Sequence, residues 1–188
     1  VNEDLYDWYV NNKGTYKRKN KNAGSEDGLG IYMITEYCEA PWNVIPNNVK
    51  INSEYKTAMF VIGRIASEGG DVPIHLVGNE GMDPNNVTDD NLLRLTPQEQ
   101  DVIDNLKLEK QKGTFDKIIV LLNTTNQVQL DFLDGVDAAI WCGGIADAGS
   151  LAIGRILTGA VNPSGRLSDT FWKNHYLNPV HANYGQMG

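Results

Sequence analysis

Apolar and polar positions fall into a clear order only from residue 58 onward. The run AMFVIG at 58–63 is apolar without a break and ends on glycine. That pattern predicts a strand buried on both faces. DKIIVLLN at 116–123 reads as a second buried strand, and VDAAIWCGG at 136–144 as a third, ended by two glycines. Between them the period changes. In LTPQEQDVIDNLK at 95–107, Val102, Ile103 and Leu106 share one helical face. Thr96 can cap that helix, Pro97 suits its first turn and Glu99 can complete a capping box. NQVQLDFL at 126–133 suits a helix with Val128, Phe132 and Leu133 as its apolar side. AGSLAIGRILTG at 148–159 predicts a helix with Ala152, Ile153, Ile156 and Leu157 inward and Gly159 as its stop. GRLSDTFW at 165–172 reads as a last short strand. Residues 1–57 are weakly patterned. LYDWYV at 5–10 suits a short helix or strand, and GIYMITEY at 30–37 has the β-branched and aromatic content of a strand.

Strands alternating with helices imply an α/β fold, a three-layer α/β/α sandwich around a mostly parallel sheet. The division expected is a lead-in segment at 1–57, the sandwich at 58–172 and a tail or linker at 173–188. In such sheets ligands gather at the carboxyl ends of the strands. Glu68 lies just past the first strand, Asn123 at the end of the second and Gly143-Gly144 past the third.

The chain has 188 residues, enough for one domain with a real core. Its 41% hydrophobic and 21% charged residues suit a globular protein. The net charge of −8 argues against a nucleic-acid partner, which needs a basic face. The one basic cluster, KGTYKRKNKN at 13–22, is short, rich in Gly and Asn, and reads as a solvated loop. No stretch of about 18 apolar residues exists, so no membrane span is expected. Residues 1–20 carry no apolar signal-peptide core. The start at Val1 rather than Met agrees with an excised fragment. The parent's compartment therefore stays open, a bacterial cytoplasm being compatible with it. Cys38 and Cys142 have no metal-type spacing and read as packed or free thiols.

The stretch VIGRIASEGGD at 61–71 holds the candidate chemistry. Its glycines allow a close backbone approach or a positive φ beside Glu68. On pattern alone, a Glu after a strand is commonly a solvated loop residue or a cap. Asp71 could partner Glu68 or a cation, and Arg64 could bind a carboxylate or pair with Asp71. The acidic loop GNEGMDPNNVTDDN at 78–91 lacks the glycine and terminal Glu of a calcium loop. GGIADAGS at 143–150 is neither a dinucleotide nor a P-loop motif. His75, His175 and His181 share no motif spacing, and the last two read as surface residues of a Pro/Asn-rich tail. Neither a metal site nor a cofactor is expected.

Four stretches together resemble one family. VIGRIASEGGD, KIIVLLNTTNQVQLDFL, VDAAIWCGGIADAGSLAIGRILTG and VNPSGRLSDTFW are similar, in order and spacing, to the second domain of glycoside hydrolase family 3. This is the β-glucosidase and β-xylosidase family. The run Asn162-Pro163-Ser164-Gly165-Arg166-Leu167 after Leu157-Thr158-Gly159 is the most specific match. The resemblance implies an α/β sandwich that works beside a (β/α)8 barrel, with a β-linked oligosaccharide or glycoside as substrate. The barrel would supply an Asp nucleophile. Gly63, Arg64, Glu68, Gly69 and Asp71 match the motif that carries the acid/base. Glu68 is therefore implied as the catalytic general acid/base, with Arg64 and Asp71 as substrate-binding residues. Ser67 and Val72 depart from that motif, which has glycine and arginine there. A retaining glycosidase needs two carboxyl groups about 5–5.5 Å apart. This chain would contribute one of them, so alone it is expected to be inactive.

Overall fold

A computed structural model describes residues 1–12, 15, 17–19, 35–37, 39–64, 93–145 and 147–180. Its centre is a parallel sheet of three strands in the order β3-β4-β5, spanning Thr57–Arg64, Lys117–Thr124 and Ala138–Trp141. Ala58 pairs with Ile118 and Arg64 with Thr124, while Leu122 pairs with Trp141. β3 and β4 thus end level at their carboxyl edge, and β5 stops two residues short of them. A separate antiparallel pair, β1 (Lys17–Lys19) and β2 (Thr35–Tyr37), precedes them. Of GIYMITEY only the last three residues lie in a described strand. The chain is an α/β sandwich, as its sequence predicts.

Helix α3 (Pro97–Gln111) covers one face of the sheet. Thr96 accepts from the Glu99 N–H, and the Glu99 carboxylate accepts from the Thr96 N–H, so the predicted capping box forms. Val102, Ile103 and Leu106 then meet Ala58, Phe60 and Ile62 of β3 and Ile118, Val120 and Leu122 of β4 in one core. Phe115, Val128 and Phe132 complete it. At the amino edge, the Asp137 carboxylate accepts from the Ile118 N–H at 2.7 Å and from Lys110 Nζ at 2.5 Å. The Lys110 ammonium, aided by that N–H, holds the Asp137 carboxyl below the usual carboxylate range.

The opposite face of β3 corrects one expectation. Burial alternates along the strand, with Ile62 fully buried but Met59 53% and Val61 49% exposed. β3 is therefore covered on one face, although its sequence is apolar throughout. On β4, which is flanked by strands on both sides, Leu121 is buried as well. Two further expectations fail. Residues 126–133 form only a 3-10 turn at Asp131–Leu133, which nonetheless buries Phe132. Residues 165–172 form no strand: the segment touches the body through the Trp172 carbonyl, which accepts from Leu130 N at 2.9 Å, and through Phe171 against Trp141. Isolated contacts of this kind do not make a ladder.

The predicted late helix is α4 (Asp147–Leu157), and Gly159 stops it at φ +74°. Its apolar side is only partly covered: Ile153, Ile156 and Leu157 are half-buried and Ala152 is exposed. LYDWYV falls in α1 (Glu3–Asn11), capped by Asn2. The short α2 (Asn47–Lys50) packs beside it. His175 is 5% exposed rather than superficial, because its N–H donates to the Gln129 side chain and its ring lies 4.4 Å from that of Tyr176. His75, His181 and Cys38 lie outside the described residues. Cys142 is a free thiol whose pKa burial pushes up.

Adjacent residues of β3 make the one-sided burial measurable. Ile62→Ala should cost about 2–5 kcal/mol in urea unfolding, and Val61→Ala about 1 kcal/mol or less. Equal costs would mean that both faces of β3 are packed.

Candidate functional site

The sequence directs attention to the carboxyl edge of the sheet, and the last residue of β3 is Arg64. It leaves the sheet on the α3 side and is 3% exposed. Its Nη1 donates to Glu99 Oε1 and its Nη2 to Glu99 Oε2, both at 2.6 Å. This is a two-pronged guanidinium–carboxylate pair, the geometry in which such bonds are strongest. Nη1 also donates to the Gly63 carbonyl at 2.7 Å and Nη2 to the Arg94 carbonyl at 2.9 Å. The same Glu99 carboxylate closes the capping box at 2.8 Å, one turn into the positive end of α3. One buried cluster therefore joins the end of β3, the residues before α3 and the start of α3.

Of the roles the sequence left open for Arg64, binding a carboxylate is seen: its guanidinium holds that of Glu99. Glu68 and Asp71 lie outside the described residues, as does the acidic loop at 78–91. Arg64, four residues before Glu68 in the sequence, is the last described residue ahead of it.

The rest of the edge is polar and small. Thr124 ends β4 fully buried, its hydroxyl donating to the Asn126 carbonyl at 2.7 Å. Its own carbonyl accepts from Trp141 Nε1 at 2.7 Å, which fixes the indole at the end of β5. Phe171 meets that indole edge-on, with ring centroids 5.6 Å apart. Asn123 Oδ1 accepts from Ile145 N at 3.4 Å. Gly143 takes φ +66°, so the chain turns off β5 in a conformation that side chains disfavour. Asn123 and Gly143-Gly144 therefore do gather at the edge where the sequence predicts them.

Glu99 is the residue that sequence reasoning placed without its main role. It reads as a capping partner, yet it also lies three and four residues before Val102 and Ile103. That spacing puts it on the buried face, where a carboxylate requires a cation. Among the described residues no group of three metal-ligating side chains occurs, and no helix is long and apolar enough to cross a membrane.

The sequence model of the glycosyl hydrolase family 3 C-terminal domain matches residues 9–187. The chain belongs to that family. Beta-glucosidase A of Butyrivibrio fibrisolvens is 34% identical over 61% of this chain and 15% of its own length. A beta-glucosidase of Ruminococcus albus is 32% identical over 56% of this chain and 11% of its own. A beta-xylosidase/alpha-L-arabinofuranosidase of Medicago sativa subsp. varia is 26% identical over 81% and 18%. The chain thus spans less than a fifth of each relative. The crystal structure of a beta-glucosidase from Paenibacillus barengoltzii shares the fold, with TM-score 0.59 and 24% identity over 96% of this chain and 17% of that one.

The buried pair predicts an asymmetry within the family 3 domain. Glu99→Gln should destabilise it by about 3–5 kcal/mol, because Arg64 then stays buried without its counter-charge. Replacing both residues, Arg64→Met with Glu99→Leu, should cost less than the single change. Urea unfolding of the wild type and the two variants checks this, and a double variant that loses as much as Glu99→Gln or more would refute the coupling.

Proposed function

We propose that this domain supplies the general acid/base, Glu68, to a retaining β-glycosidase acting on terminal β-linked sugars. A separate barrel of the parent protein carries the Asp nucleophile. One observation carries the reading: in a family 3 domain, Gly63, Arg64, Glu68, Gly69 and Asp71 match the acid/base motif, and its first two residues end a strand at the carboxyl edge of the sheet.

The chemistry suits a Glu carried by a segment that leaves a rigid strand end. The acid must protonate the leaving oxygen and then deprotonate water, opposite a nucleophile held about 5–5.5 Å away. A second carboxylate and a bound sugar raise its pKa toward the working range. The pair between Arg64 and Glu99 serves that role from behind by fixing where the segment departs. Asp71 is the substrate-side residue of the motif.

A second reading keeps the domain as a carbohydrate-subsite or packing module with Glu68 not catalytic. Ser67 and Val72, where the motif has glycine and arginine, favour it. Rescue chemistry on the full-length parent separates the two. Glu68→Ala should lower kcat by about 10²–10⁴-fold, and azide with an activated aryl glycoside should restore turnover. A Glu68→Ala enzyme as fast as wild type would leave the module reading. The 188-residue chain alone should not hydrolyse aryl β-glucosides, and turnover by it would show that the carboxylate pair is complete without a barrel.

A further inference from the structure

A cleft of about 440 Å³ opens on the flank of α3, beside its first turns. Its walls include Trp42, Asn43, Gln98, Asp101 and Asn105. Positions 98, 101 and 105 recur on one side of α3, beside the face formed by Glu99, Val102, Ile103 and Leu106 that enters the core. The opposite wall is the Pro41–Asn43 stretch, where the 3-10 turn at Trp42–Val44 begins.

The groups in the cleft are held in place. Lys50 Nζ donates to the Trp42 carbonyl at 2.6 Å and lies 4.4 Å from the ring centroid, a cation–π contact that fixes the indole. Asp101 Oδ2 accepts from the Trp42 N–H at 3.3 Å, and its Oδ1 accepts from Asn105 Nδ2 at 2.9 Å. Asn105 Nδ2 donates to the Asp101 carbonyl at 2.8 Å as well. The carboxylate is therefore oriented before any ligand arrives, and it keeps lone pairs for further donors. The Asn105 carbonyl oxygen has no partner among the described residues.

We infer that this cleft is a second carbohydrate site, one that binds a neutral pyranose and does not cleave it. A pyranose has an apolar C–H face and a rim of hydroxyls, and the cleft presents the part of the indole that Lys50 leaves uncovered beside amides and an oriented carboxylate. Its size falls within the range of small-molecule sites. Among the described residues no Lys or Arg lines it, and Asp101 repels anions, so a phosphate or an acidic sugar is disfavoured. Asp101 is also the one acidic side chain among its described lining residues, which offer no carboxylate pair of the kind hydrolysis needs. Glu68 is not among the described lining residues, and a silent Glu68→Ala variant would leave this inference standing.

Titration of the ¹⁵N-labelled chain with cellobiose tests it, read at the Trp42 indole N–H, which is assigned with Trp42→Phe. That signal should shift saturably. Asp101→Ala should weaken the apparent affinity about tenfold or more, and Glu68→Gln should leave it unchanged. A Trp42 signal that does not move would overturn the site. So would an Asp101→Ala protein that binds as tightly as wild type. Loss of the shift in Glu68→Gln would place the sugar at the strand ends instead and overturn it equally.

Discussion

The buried pair between Arg64 and Glu99 is the constraint on which the rest of the carboxyl edge depends. Two charges out of water are tolerated only where each is fully bonded. Here the guanidinium meets a carboxylate and two carbonyls, and the carboxylate also meets a backbone N–H. The bonds to Glu99 and to the Arg94 carbonyl tie Arg64 to the start of α3 and to the residues before it. The end of β3 and the start of α3 therefore cannot shift separately without exposing an unpaired charge. Hydrophobic packing is non-directional and tolerates small slides of a helix over a sheet, whereas a forked ion pair does not.

Packing provides the cohesion that the ion pair orients. Ile62, Ile118 and Val120 beneath Ile103 form the centre of the core, all fully buried. The parallel register of the three strands then brings Arg64, Asn123, Thr124 and Trp141 toward one edge, with Gly143 two residues beyond Trp141. The site in a fold of this kind is a property of register as much as of residue type.

Much of this was legible in the sequence, for physical reasons that differ by element. The capping box at Thr96 and Glu99 is a local signal and forms as read. The β3 and β4 strands are long apolar runs, and they form within a residue of their predicted bounds. What failed depended on partners far along the chain. An apolar run says that a strand can be buried on both faces, but whether it is depends on what lies over Met59 and Val61. GRLSDTFW has strand-like residues but meets the body only at isolated points. His175 looked superficial in a polar tail, yet Gln129, forty-six residues earlier, draws it in. Arg64 stood out correctly as a residue of the edge, while its partner was hidden because Glu99 already had a sufficient local explanation. Glu68 and Asp71 were legible only through their motif, because a short stretch of small residues carries no periodicity.

The bond from Arg64 to the Arg94 carbonyl has a consequence for how such domains diverge. It fastens together two points thirty residues apart, the place where the chain leaves the sheet and the place where it returns. Once both ends of an excursion are pinned, its length is nearly free: doubling a flexible loop adds only about 0.6 kcal/mol of closure entropy. Insertions and deletions between the two ends can therefore accumulate without loosening the frame. Relatives of this domain can vary the stretch between the two ends while keeping one unchanged buckle at the end of β3.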